Sequence, residues 1–253
     1  MFAVMRFNTC NYTVEIDLQS AEFCLHQNQI NILKKQLQQI SSKTAYFADI
    51  CSLRNGILRY ESESIFPARS GRKKQKVMLV LGNPSLLSVK NGMFFYSRED
   101  GGRHGFWGKL AKAGLVRSIN RESRRQEAEE RRNMLVDDRG STSYTLGLTT
   151  FYSFPTPGSD QQKFSGSAGV EKLFEPILKQ IHRLEIRRLL SYRFIDGAIL
   201  VFTRKSSLKR FYKITGIKPA YWPTRGEDSG GEELAQLLTT AGTVNLEAKS
   251  LLF

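Results

Sequence analysis

Apolar and polar positions follow two periods along this chain, and together they predict strands alternating with helices. Residues 77–81 (VMLVL) and 198–202 (AILVF) are unbroken apolar runs of strand length. Each predicts a strand buried on both faces. TVEIDL, residues 13–18, alternates as a half-buried strand does, and GILRY (56–60) and IKPAYW (217–222) predict shorter strands. Residues 144–158, YTLGLTTFYSFPTPG, read as a Thr- and aromatic-rich strand or loop closed by two prolines. Helical spacing places Ile30, Leu33, Leu37 and Ile40 on one face of residues 28–40. A second helix opens near Gly105 with Phe106, Trp107, Leu110 and Leu115. Residues 169–190 predict a long helix with a kink or late start at Pro176, which lacks the N–H an interior turn needs. A further helix begins at TRKSSLKRFYK with Ser206 as its N-cap, and another covers 231–241. The alternation implies an α/β sheet flanked by helices. Residues 1–55 read as a helical and extended preface packed on a main domain of residues 56–253.

The stretch from residue 76 to 115 organises the rest. Its strand stops on Gly82-Asn83-Pro84, where Pro84 cannot continue the ladder and biases Asn83 away from helix. About twenty residues then separate strand from helix, long for a compact α/β unit, and long loops there are usually functional. Asn-Pro is also a common turn dipeptide, and a strand, a turn and a core helix would explain the same pattern.

Charge sharpens the picture. The formal net charge is +14 and uneven. Residues 67–116 hold ten Lys/Arg against two acids and residues 186–225 ten against one, whereas residues 226–253 are net acidic by four. Positive charge gathered in two blocks implies a polyanionic partner, taken as DNA, double- or single-stranded. Residues 117–139 balance seven bases with six acids and read as an exposed helix with a solvated face, the other reading being an arginine-rich arm along DNA. Cys10, Cys24 and Cys51 have no CxxC spacing, so neither a disulfide framework nor a metal site is expected. His26 and His182 read as ordinary surface, core or helical residues. No apolar run approaches a membrane span and the N-terminus has no signal-peptide pattern, so a cytoplasmic location is expected, at the nucleoid in a bacterium. No GxGxxG or GxxxxGK[ST] loop is present, which weakens a nucleotide-binding reading.

The order strand, GNPS, loop, Phe94-Phe95, basic residue, Phe106-Trp107, helix, Ala113-Gly114-Leu115 resembles the uracil-DNA glycosylase superfamily, closest to its mismatch-specific uracil/thymine branch. LGLTTFYSFPT, residues 146–156, is similar to that branch's Gly-Val/Leu-Thr segment, and the helix and strand ending DGAILVFTRK follow in the same order. The resemblance covers roughly residues 57 to 223. It implies a three-layer α/β/α sandwich with a mostly parallel sheet of about four strands. It also implies base-excision repair chemistry, in which the N-glycosidic bond of uracil, or of a related damaged or mismatched pyrimidine, is hydrolysed without metal or cofactor, by a monomer.

That chemistry requires a flipped base, a placed water and a stabilised leaving base. The resemblance maps the family's water-positioning asparagine onto Asn83. An amide orients water and deprotonates nothing, so slow turnover is expected, general-base help being worth about 10²–10⁴-fold. Pro84, Ser85 and the backbone N–H groups around Ser85 and Leu86 are candidates for holding the base's carbonyl oxygen. Phe94 or Phe95, with Phe95 slightly favoured, is the candidate for stacking on the base, and core packing of both is the alternative. The family's second motif often contains a histidine, but no histidine follows His182. In its place Thr224 and Arg225 are candidate donors and Trp222 a candidate wedge. Arg204, Lys205, Lys209, Arg210 and Lys213 are candidate phosphate contacts, and Arg103 and His104 either contact phosphate or shape a turn. The rival reading is a non-catalytic nucleic-acid-binding protein that kept the fold and lost the second motif.

Overall fold

A computed structural model describes residues 5–8, 12–68, 74–97, 101–158, 163–226 and 229–245. Cys10, the basic residues 69–73 and the tail beyond 245 lie outside the described residues. Among the described residues the fold is mixed α/β with two four-stranded sheets, one antiparallel and one parallel. The chain groups into two compact units, one of Met1–Glu63, Asn83–Phe94 and Tyr152–Arg188, the other of Ser64–Gly82, Phe95–Phe151 and Leu189–Phe253. Among the described residues no helix is long and apolar enough to cross a membrane.

The first unit holds the antiparallel sheet, built from β1 (Met5–Asn8), β2 (Thr13–Asp17), β3 (Cys51–Arg54) and β4 (Ile57–Glu61) in the order β1-β2-β4-β3. The alternation read from TVEIDL is the reason for its register. Val14 faces Tyr60 and Ile16 faces Leu58, all four buried, while Glu15 and Arg59 pair on the opposite face. The preface boundary expected after residue 55 falls in the turn of the β3–β4 hairpin. Asn55 and Gly56 both take positive φ there, the backbone of a tight hairpin turn, so residues 57–61 pair with the preceding strands. Helix α1 (Gln27–Ser41) buries the predicted stripe of Ile30, Leu33, Leu37 and Ile40, and α2 (Phe47–Ile50) follows it.

The connection read as a twenty-residue loop contains α3 (Leu86–Asn91). Ser85 caps it by accepting a hydrogen bond from the Ser88 N–H, and Gly92 ends it in the left-handed region, the usual device for releasing a helix. Further on, α6 (Gly166–Leu173), a 3₁₀ turn (Glu175–Ile177) and α7 (Leu178–Ser191) divide the predicted long helix at Pro176.

The second unit holds the parallel sheet of β5 (Gln75–Leu81), β6 (Tyr144–Thr150), β7 (Ala198–Phe202) and β8 (Ala220–Tyr221), ordered β6-β5-β7-β8. β5 from Val77 to Leu81 and β7 along its whole length are apolar and buried because each strand lies between two neighbours. Successive strands leave β5 toward β6 on one side and β7 toward β8 on the other. The carboxyl ends of β5 and β7, at Leu81-Gly82 and Phe202-Thr203, therefore form a switch point, where open parallel sheets bind ligands. The unit's helices are α4 (Phe106–Lys112), α5 (Arg124–Val136), α8 (Lys205–Thr215) and α9 (Gly231–Thr240).

Candidate functional site

Asn83 stands two residues past the end of β5, and its carboxamide is held on three sides within the first unit. Its Nδ2 donates to the Thr156 hydroxyl at 2.7 Å and to the Pro84 carbonyl at 3.0 Å, while the Ser167 hydroxyl donates to Oδ1 at 3.2 Å. Both amide hydrogens are thus committed. The Pro84 carbonyl also accepts the Thr156 N–H at 3.1 Å, and a flipped amide would set its oxygen against that acceptor. The carboxamide therefore has one orientation. Oδ1 has a second lone pair beyond the one that Ser167 engages, and Asn83 is half-buried. Such an oxygen has the capacity to accept one further hydrogen bond.

The same segment is stitched to residue 156 by its backbone. The Leu86 N–H donates to the Thr156 carbonyl at 3.0 Å, and Ser85 and Thr156 form an isolated parallel bridge. This corrects one expectation: the Leu86 N–H is engaged internally and is no donor for a base. Ser85, besides capping α3, donates from Oγ to the Ser88 hydroxyl at 2.8 Å. Pro84 is buried.

A buried polar network holds the residues just before Thr156. Glu185 accepts from the Ser153 N–H and hydroxyl, both at 2.6 Å, and its other oxygen accepts from Arg188 Nε at 2.7 Å. The Ser153 hydroxyl shares a 2.7 Å hydrogen bond with the Tyr60 hydroxyl, and Ser62 donates to the Ser153 carbonyl at 2.7 Å. Burial, reinforced by the Glu185 charge, pushes the Tyr60 hydroxyl well above its ordinary range. Beside this network Tyr152 donates to Glu171 at 3.0 Å and lies 2.8 Å from His182 Nε2. Sequence reasoning passed over Glu185, Arg188 and His182 as helix residues. The available signal was a Glu and an Arg three apart, next to the apolar stripe of a helix.

Of the adjacent phenylalanines, Phe94 is core, with 2% exposure, and only Phe95 keeps its ring half-exposed. Phe95 takes a positive φ of 51°, uncommon for a bulky residue. In the second unit its ring lies 4.1 Å from that of Phe106 and 4.5 Å from that of His104, and its carbonyl accepts from Trp107 Nε1 at 3.3 Å.

Trp222 is no wedge. It is 1% exposed, its indole donates to the Gly230 carbonyl at 3.0 Å, and its ring lies 6.3 Å from Phe106. A side chain that closes the core here has no exposed edge to insert into DNA. Lys109 holds the same loop, donating to the Thr224 carbonyl at 3.0 Å and the Ser229 hydroxyl at 2.7 Å. Thr224 is half-buried and Arg225 exposed.

The basic residues divide into two kinds. Arg103 Nε donates to the buried Glu127 carboxylate at 3.0 Å, and its Nη2 to the Arg121 carbonyl at 2.7 Å, so it serves the fold before any phosphate. Glu127 also receives Arg124 and Arg131, so the arginine-rich α5 is neither a wholly solvated face nor a free arm. Burial works to raise the Glu127 pKa, but the hydrogen bonds from Arg103 and Arg124 and the charge of Arg131 outweigh it and hold the carboxyl below its usual range. On α8 the pattern differs: Arg204, Lys205 and Lys209 are exposed and Arg210 half-buried. Arg204, with extended backbone, is the N-cap of α8, which displaces Ser206 into the first turn. Among the described residues, no group of three or more His, Cys, Asp or Glu side chains is placed to hold a metal ion.

No protein-family model matches the chain, and comparison with curated proteins gives no match.

Proposed function

We propose that this chain is a DNA N-glycosylase that hydrolyses the N-glycosidic bond of uracil, or of a related damaged or mismatched pyrimidine, with water held on Asn83 Oδ1. The observation that carries the reading is the clamped carboxamide: Thr156, Pro84 and Ser167 fix its orientation and engage both its hydrogens. Its place in the sequence, two residues after a buried strand and just before Pro84, is where the resemblance puts the water-positioning asparagine. The proposal carries with it a three-layer α/β/α arrangement around that sheet and DNA as partner. No carboxylate or imidazole hydrogen-bonds the Asn83 amide among its described partners, so turnover should be slow, with water oriented and not deprotonated.

One observation favours the rival reading, a nucleic-acid-binding protein without catalysis. Trp222 is buried, so the residue expected as the second motif's wedge does not serve as one. A single experiment separates the two. The protein, in excess, is incubated with labelled oligonucleotides carrying uracil opposite guanine, opposite adenine and in a single strand, and abasic sites are then cleaved with alkali. The glycosylase reading expects cleavage that Asn83→Ala lowers by about 100-fold or more, since misplacing a reactant by about 1 Å has that effect, with DNA affinity unchanged. Thr156→Val should lower cleavage too, by freeing one amide hydrogen. Cleavage by Asn83→Ala at the wild-type rate refutes the proposal, and none by the wild type on any of the three removes uracil as the substrate and favours the binder.

A further inference from the structure

The chain treats its basic residues unevenly, and the unevenness marks a surface. Along and around α5, arginines 103, 117, 121, 124, 125 and 131 all pair with acids. On α8, Lys205, Lys209 and Lys213 are exposed, and no acid pairs with them among the described residues. They recur every four residues, so they rise along one stripe of the helix in steps of about 6 Å. The buried stripe of Ser207, Phe211 and Thr215 lies two positions on, roughly 200° around the axis, which turns the lysines toward solvent. Tyr212, three residues after Lys209 and so its neighbour on the surface, is 50% exposed. Tyr212 thus presents ring surface to solvent beside these lysines.

We infer that this face of α8 is a docking surface for single-stranded nucleic acid, with phosphates on Lys205, Lys209 and Lys213 and a base stacked on Tyr212. The lysines alone would serve any polyanion. The tyrosine decides the strandedness, because an unpaired base has a free face to lay on the ring, whereas bases in a duplex are already stacked on one another. The inference deepens the glycosylase reading by naming the strand form it holds, yet it does not depend on turnover.

The test is fluorescence anisotropy with labelled oligodeoxythymidylate and with a mixed-sequence duplex of equal length, across a salt series. The thymidylate should bind more tightly than the duplex. Tyr212→Ala should weaken thymidylate binding roughly 5- to 150-fold, the range for losing one base–aromatic stack, and leave the duplex within about twofold. Tyr212→Phe should keep wild-type affinity. Lys209→Ala and Lys213→Ala should each reduce the salt slope by about 0.7. Tighter duplex binding, a Tyr212→Ala variant that binds thymidylate as wild type does, or salt slopes unchanged by the lysine variants would overturn the inference. So would self-association, read by sedimentation, that Tyr212→Ala abolishes, since the face would then serve a second copy. These probes contain no uracil. Failure of the excision assay with these results intact therefore removes uracil excision and leaves the docking surface standing.

Discussion

Glu127→Gln removes the one negative charge from a cluster of three guanidinium groups. The carboxylate has no exposure, and Arg103, Arg124 and Arg131 surround it with side-chain exposures of 44%, 25% and 8%. The first two can turn toward water when the charge is lost. Arg131 cannot, because its guanidinium lies over the Trp107 ring at 5.1 Å. The variant therefore buries an unpaired charge, which costs about 3–5 kcal/mol. For a chain of this size that lowers the melting midpoint by roughly 6–20 °C, measurable by circular dichroism at pH 7. The double variant Glu127→Leu/Arg131→Met removes both charges and should recover most of the loss. The pH dependence follows from the depressed carboxyl. Its contribution is fully present above the unfolded value of about 4.3 and is lost as pH falls through the lower folded value. Wild type should lose stability across that acid window, and Glu127→Gln should lose less. A single variant melting within about 2 °C of wild type would refute the reasoning, the threshold corresponding to about 1 kcal/mol.

Trp222→Ala should destabilise by about 3–5 kcal/mol, as buried aromatic truncations do, while Trp222→Phe should retain DNA affinity in gel-shift titration; a loss of affinity in a folded Trp222→Phe protein would restore the wedge. Gly231→Ala should cost about 1–3 kcal/mol, read by urea titration, because a Cβ there meets the Lys109 carbonyl where α9 packs on α4. Burial pushes the Cys51 thiol up to about 12, so at pH 8 a thiol-specific reagent should spare Cys51 in the native protein and modify the exposed Cys24. Peptide mapping showing equal labelling of both would contradict that burial.

Much of the architecture was legible because burial imprints a local period. The apolar runs at 77–81 and 198–202 are central strands, and the stripe from Ile30 to Ile40 is the buried face of a helix. Pro176 divides its helix for the covalent reason that proline lacks an N–H. The helix after Ser85 was equally local, with a serine cap and a terminal glycine, but its six residues fell inside what read as a loop. The Asn55-Gly56 turn, a strong hairpin signal, was likewise passed over, and the expected boundary was set on top of it.

The sequence by itself determined that residues 77–81 and 198–202 become buried strands and 28–40 an amphipathic helix, and that Asn83 follows a buried strand at a proline turn. Periodicity and backbone chemistry act over a few residues, so a single chain carries them in full. Only the tertiary structure decided what the polar groups do. Asn83 is oriented by Thr156 and Ser167, 73 and 84 residues away. Glu127 is matched by an arginine 24 residues earlier as well as by its own helix. Trp222 and Tyr212 are both aromatics in the same basic block, yet one is buried and the other exposed. A charged or amide side chain reads the same in sequence whether it faces water or a partner, because its role is set by which distant segment folding brings against it.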